Sequence, residues 1–313
     1  MPAPAAAAVR PRLSRPGRGP TVAQLLEAGE RPLVSFELFP SKDEEQHRQL
    51  WTTIRQLESL GPDFVSVTYG ASGSTRDRTV SATQQIAEQT TLRPVAHLTA
   101  ASQSREQLRH VVGAYASVGI NHVMAIRGDM PGGPTVPWEP HPEGLANATE
   151  LVELVSGLGD FCIGVAAFPD LHPQTRDADL DARLLVAKQR AGASFAITQL
   201  FFTAQRYFDL VARVRALGSD LPIIPGIMPV TRVSQIERFA DLSGAALPSF
   251  VTDRLHEVAH DPSLVRAAGV DLATALSEEL LAGGAPGLHF ITMNRSSATR
   301  EIYSRLRSHL NRR

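Results

Sequence analysis

The sequence predicts a single (β/α)8 TIM barrel with an extra N-terminal helix and a helical insertion before the last strand. Two observations carry that expectation. Eight short apolar, β-rich runs recur along the 313 residues, and longer segments with helical spacing separate them. Strands joined by helical crossovers pair in parallel and need cover on both faces, and eight repeats of that unit favour closure over an open sheet. A doubly wound sheet with a small second domain is the nearest competitor. Against it, no Gly-x-Gly-x-x-Gly turn follows any run. Gly128-Asp129 and Gly132-Gly133 sit in a proline-rich stretch without strand–turn–helix context.

Residues 1–20, rich in Ala, Pro, Arg and Gly, read as a disordered tail, which leaves 21–313 as one barrel domain. The tail lacks the apolar core of a secretory signal, and no stretch approaches the ~18 apolar residues of a membrane helix. The first runs are 33–38 and 64–68. Between them Leu50, Ile54, Leu57 and Leu60 repeat at helical spacing, ending at Gly61-Pro62. Runs at 94–98 and 122–126 flank a second such helix, carrying Leu108, Val111, Val112, Tyr115 and Val118 and stopping at Gly119. The remaining runs are 161–167, 195–201, 221–227 and 287–292, the first three each preceded by a glycine stop at Gly159, Gly192 and Gly218. The helical insertion covers about 249–281.

Composition narrows the function. Apolar residues make up 43%, enough for a substantial core, and the net charge of −1 supplies no basic field for nucleic acid or an anionic membrane surface. The lone cysteine, Cys162, lies in an apolar run, cannot form an internal disulfide, and fits a buried thiol in a cytoplasmic protein. No His or Cys pair has zinc spacing, so no metal site is expected. No Gly-x-Ser-x-Gly elbow occurs either.

A barrel places its chemistry at the carboxyl ends of its strands. Those positions hold Glu37, Thr68-Tyr69-Gly70, His97, Arg127-Gly128-Asp129, Phe168 to His172, Gln199 and Asn294-Arg295. Glu37 interrupts the apolar Val34-Ser35-Phe36-Glu37-Leu38-Phe39, where an unpaired carboxylate is costly, so it is ion-paired or functional. Taken alone, His97 and His172 read as structural, hydrogen-bonded histidines rather than catalysts, and Arg127 and Asp129 read equally as a pair across the glycine. Their convergence on one rim is the argument for a site.

Eight collinear segments resemble methylenetetrahydrofolate reductase over about 33–307. They are Val34-Ser35-Phe36-Glu37, Phe64-Val65-Ser66-Val67-Thr68-Tyr69-Gly70-Ala71, Arg76-Asp77-Arg78-Thr79, His97-Leu98-Thr99, Ala125-Ile126-Arg127-Gly128-Asp129, Ile197-Thr198-Gln199-Leu200-Phe201-Phe202, Pro225-Gly226-Ile227-Met228-Pro229 and Phe290-Ile291-Thr292-Met293-Asn294-Arg295. The resemblance implies ping-pong reduction of methylenetetrahydrofolate to methyltetrahydrofolate, with FAD as cofactor and NADH, rather than NADPH, as the favoured reductant. It also implies a homo-oligomer.

By that resemblance Glu37 is the general acid, held near neutral pKa by its apolar strand, and Asp129 steadies the developing cation. The FAD shell carries over to Thr68, Tyr69, Ala71, His97, Arg127, Gly128, Asp129, Ala148, Phe168, His172, Asp181 and Lys188. Gln199, Gln235, Phe239 and Arg295 carry over as substrate-binding residues. Four positions depart from the pattern. Phe168 stands where tyrosine is common, Asn147 where an aromatic is usual, and Leu184 and Ala187 replace polar residues near FAD. The loop 131–144 is also longer and richer in proline. The competing readings are another FAD barrel of the proline dehydrogenase type, a flavin-free reductase, and a non-catalytic folate binder.

Overall fold

The computed structural model describes residues 19–69, 73–133, 136–243 and 247–310, without the side chains of 73–77 and 239–243. Residues 1–18, most of the expected tail, therefore lie outside the described residues, as does Ala71. In chain order the elements are α1 Val22–Ala28, β1 Leu33–Leu38, α2 Glu44–Glu58, β2 Phe64–Val67, α3 Gly73–Gln89, β3 Pro94–Thr99, α4 Arg105–Ser117, β4 His122–Ile126, α5 Ala148–Leu158 and β5 Cys162–Ala167. They continue with α6 Ala178–Ala191, β6 Phe195–Thr198, α7 Ala204–Ala216, β7 Ile223–Ile224, β8 Gly226–Ile227, α8 Val233–Ser243, α9 Ser249–Glu257, α10 Pro262–Ala282, β9 Gly287–Ile291 and α11 Ser297–Leu310.

All pairings are parallel, in the order β7-β6-β5-β4-β3-β2-β1-β9-β8. The two ends are one barrel position. Pro225, which has no N–H to give the ladder, divides the seventh strand into β7, paired with β6, and β8, paired with β9. Its carbonyl still accepts from the His289 amide at 2.9 Å, which carries the closure across the break. The fold class expected from sequence is therefore the one observed. Strand ends differ slightly. The run 195–201 is strand only to Thr198, because the Leu200 amide donates to the Gln199 side chain at 2.9 Å instead of to a neighbouring strand.

Alternation along the strands sorts the side chains into layers. Val34, Phe36 and Leu38 join the cluster beneath the helices, together with Ile54, Leu108, Val152, Leu185 and Ile302. Leu33, Phe64, Val95, Met124, Phe195 and Ile224 face inward and pack near the amino ends of the strands. There α1 closes the barrel. Thr21 and Gln24 form a capping box, Gly29 ends the helix at φ 58°, and buried Val22 packs into the inward cluster. The Val22 amide donates to His122 Nε2 at 3.1 Å, so this imidazole carries its proton on Nδ1. Burial, followed by the nearby charge of Arg93, lowers His122 to about 4. Cys162 is a buried free thiol in the same layer, and burial pushes its pKa up.

The helical stretch before the last strand is two helices. They break at Asp261, whose carboxylate caps α10 through the Ser263 amide, with Pro262 at the first turn. α10 packs against α7 and α11 in the outer ring, while α9 covers a second apolar cluster around Leu200, Met228 and Val230. Among the described residues no helix is long and apolar enough to cross a membrane.

Candidate active site

A cavity of about 520 Å³ opens at the carboxyl ends of the strands. Of the residues expected from sequence, Glu37, Thr68, Tyr69, His97, Arg127, Gly128, Asp129, Ala148, Phe168, His172, Asp181, Lys188 and Gln199 all line it. These thirteen residues come from six strand ends and two helices, so only barrel closure brings them together.

One wall is acidic and deep. Glu37 points inward from β1, with its Oε2 3.8 Å from His289 Nε2 and 4.0 Å from His97 Nε2. At those separations the contacts are electrostatic rather than hydrogen bonds. His289 is itself fixed by Ser35 Oγ at 2.8 Å from Nδ1 and Ser66 Oγ at 3.2 Å from Nε2. Burial pushes the Glu37 carboxyl up, but the imidazole of His289 and then that of His97 outweigh it. The pKa lies below the ordinary carboxylate range. This corrects the expectation of a near-neutral acid. The apolar flanks Phe36 and Leu38 face the helices, whereas the cavity side of Glu37 sees two histidines. His97 is lowered to about 4, first by burial and then by His289 against the pull of Glu37. Among the described residues its buried Nε2 has no hydrogen-bond partner, an orphan facing a cavity.

The opposite wall is cationic. Lys188 reaches in from α6 and donates to the Ala166 carbonyl at 3.2 Å. Burial and the charge of Arg127 lower it to about 8 against the opposing pull of Asp181. His172 is lowered by burial, by Arg127 and by Lys188, with Asp181 opposing. Burial disfavours the charge of all three basic groups, and Arg127 adds to that pressure on His172 and Lys188, a setting that a bound anion would relieve. The amino terminus of α5 adds its dipole, since Asn147, Ala148 and Thr149 line the same wall. Asn147 is explained by that helix: its Oδ1 caps α5 through the Glu150 amide at 3.1 Å.

Asp181 spends both carboxylate oxygens on the loop after β5, accepting from the His172 amide at 2.8 Å and the Thr175 hydroxyl at 2.7 Å. Arg127 does not turn back on Asp129; it donates to Gln174 Oε1 at 2.6 Å. Gly128 adopts φ 80°, and a Cβ there would sit 2.7 Å from Thr99 Cβ, so backbone has to pass at this point. Phe168 packs edge-on against His172 with ring centroids 4.6 Å apart. Leu184, one turn before Lys188, is 37% exposed at the cavity edge.

Two expected substrate residues stand apart from this lining, and a third is not described. Gln235 on α8 accepts from Thr231 at 2.9 Å, Arg295 is exposed beyond β9, and the Phe239 side chain lies outside the described residues. Asn294, by contrast, is a structural clasp: it bonds both the amide and the carbonyl of Phe39, fixing the turn after Glu37. His289 was not anticipated from the sequence. The available signal was the same as for Glu37, a polar residue interrupting the apolar run Gly287-Leu288-His289-Phe290.

A family model described as methylenetetrahydrofolate reductase matches residues 21–307. The chain belongs to the methylenetetrahydrofolate reductase family. Among the relatives, a 5,10-methylenetetrahydrofolate reductase of Pectobacterium carotovorum is 39% identical over 280 residues, covering 89% of this chain and 91% of that protein. An Arabidopsis thaliana protein named methylenetetrahydrofolate reductase (NADH) 1 is 33% identical over 83% of this chain and 46% of its own length. A solved structure of a Clostridium thermocellum protein that binds two copies of 5-methyl-5,6,7,8-tetrahydrofolic acid superposes with a TM-score of 0.64. It is 14% identical over 91% of this chain and 97% of that one, a likeness of fold. The family pattern coincides with the cavity wherever the barrel strands supply the residue. Gln235 on α8 and Arg295 beyond β9 fall outside that cavity.

Proposed function

We propose that this chain reduces 5,10-methylenetetrahydrofolate to 5-methyltetrahydrofolate with NAD(P)H and FAD by ping-pong hydride transfer, feeding methionine synthesis in the cytoplasm as a homo-oligomer. One observation supports it beyond family membership: a single cavity joins a strand-borne acid to a cluster of basic groups whose charge burial disfavours. That pairing suits a dinucleotide cofactor on one side and a proton-requiring substrate on the other. The donor set fits FAD. Arg127, His172, Lys188 and the α5 terminus suit its diphosphate, the small walls Ala125, Ala166, Ala167 and Gly128 suit a flat ring, and the orphaned His97 Nε2 awaits a polar partner. When bound, FAD supplies hydride transfer between the nicotinamide and the folate. NADH is favoured as reductant, in keeping with the plant relative's name.

The chain's own work is binding and proton delivery. Glu37 Oε2 gives a proton to the folate nitrogen released when the five-membered ring opens. Filling the cavity removes water, which strengthens burial, already the largest pressure on this carboxyl, and raises it toward the working pH. Asp129, exposed at the rim, places negative charge where the opened folate carries positive charge. Gln199 Oε1 is engaged by the Leu200 amide, so its NH2 is the group offered to a pterin or nicotinamide carbonyl. Gln235, Phe239 and Arg295 are the candidates for the rest of the folate. A visible spectrum of the purified protein, followed by anaerobic NADH titration, tests the reading. Flavin bands that bleach with NADH and return with methylenetetrahydrofolate are expected. A colourless protein that turns over without added FAD would replace the flavin reading with direct hydride transfer. Bleaching without any response to folate would point to another flavin barrel.

A further inference from the structure

Arg127 presents a physical problem that the cavity alone does not solve. Its guanidinium shares a wall with His172 and Lys188 and disfavours charge on both, while burial disfavours its own charge and Asp129 supports it. Burial opposes its charge, so a long flexible side chain gains from a hold that does not neutralise it. What faces it is Trp138, from the proline-rich loop that precedes α5: the guanidinium carbon lies 4.8 Å from the indole ring centroid. Indole is the strongest aromatic partner for a cation, and the contact keeps Arg127 in place without neutralising it. Trp138 is anchored at its other end. Its Nε1 donates to the Ala146 carbonyl at 2.8 Å, two residues before the first turn of α5. One side chain therefore ties together two anion-facing elements of the cavity, Arg127 and the helix terminus. Of the five guanidinium N–H groups, one goes to Gln174 and one to the Gly128 carbonyl, which among the described residues leaves three for a ligand.

We infer that Trp138 is a positioning residue that holds Arg127 toward the diphosphate of the dinucleotide cofactor. This rests on the reading of the cavity as an FAD site. The pairing separates charge from geometry: a cation–π contact orients the guanidinium, whereas a carboxylate in the same place would cancel the charge the ligand needs.

FAD titration of the purified apoprotein, with binding read by flavin fluorescence, tests the inference. Trp138→Ala should weaken binding about tenfold, the scale of a partly desolvated cation–π contact. Trp138→Phe, which keeps a ring face, should stay within about threefold. In an Arg127→Ala background the Trp138→Ala change should cost less than twofold, because a residue acting through Arg127 has nothing left to position. Equal losses in both backgrounds would overturn the inference, and so would wild-type affinity in Trp138→Ala. Trp51, the other tryptophan, sits over Arg55, so a Trp51→Phe background isolates the Trp138 emission. There Arg127→Ala should shift the emission with no ligand present. A shift in a protein that takes up no FAD would sink the cofactor reading and uphold the pairing; no shift would overturn the pairing itself.

Discussion

The helix that seals the barrel should make the protein lose stability in mild acid, and His122 is the group to change. Its Nε2 must be unprotonated to accept from the Val22 amide, and it is 3% exposed. The folded imidazole is lowered to about 4 from 6.5, so between those values the unfolded chain binds the extra proton. The contribution is complete above pH 6.5 and is lost as pH falls toward 4. At pH 5, integration over that window gives about 2 kcal/mol less stability than at pH 8 from this residue alone. His122→Gln keeps an acceptor at nearly the same reach and removes the titration. Urea unfolding followed by circular dichroism at pH 8 and pH 5 supplies the comparison. Wild type should lose about 2 kcal/mol more than His122→Gln between the two. His97, lowered in the same direction, and Glu37, also lowered, add acid sensitivity common to both proteins. Losses equal within about 0.5 kcal/mol would refute the argument and mean that α1 docks without a neutral His122.

Three further outcomes follow from the site. Glu37→Gln should keep nicotinamide–flavin exchange within about twofold and lose folate reduction by roughly 10²- to 10⁴-fold in stopped-flow half-reactions; folate turnover at the wild-type rate would remove Glu37 as the acid. Gly128→Ala should cost roughly 2–4 kcal/mol in chemical denaturation, from a left-handed φ of 80° and a Cβ 2.7 Å from Thr99 Cβ. A cost below about 1 kcal/mol would show that the strand end yields easily. Because Lys188 titrates at about 8, its charge fades as pH rises through that value, and FAD affinity measured from pH 7 to 9 should fall severalfold. A flat profile would take Lys188 out of the anion site.

Much of this protein was legible from residue order alone. Strand and helix periods, glycine stops and the absence of a dinucleotide turn are local properties, and they set the barrel, its extra helices and the strand-end positions of Glu37, His97, Arg127 and Gln199. What periodicity could not supply was who meets whom across the closed ring. His289, 252 residues from Glu37 in the chain, becomes its neighbour only because β9 pairs with β1. That contact reverses the expected direction of the acid's pKa, since a carboxyl's protonation depends on the charges in space around it and not on its sequence flanks. The loop 131–144 read as an unexplained proline-rich departure, and folding showed that it delivers Trp138 to Arg127. Asn294 shared a motif with Arg295 yet serves as a backbone clasp. Local pattern determines which elements form and which face each side chain takes. Pairings between distant segments, and the electrostatics that follow from them, are decided by closure of the barrel.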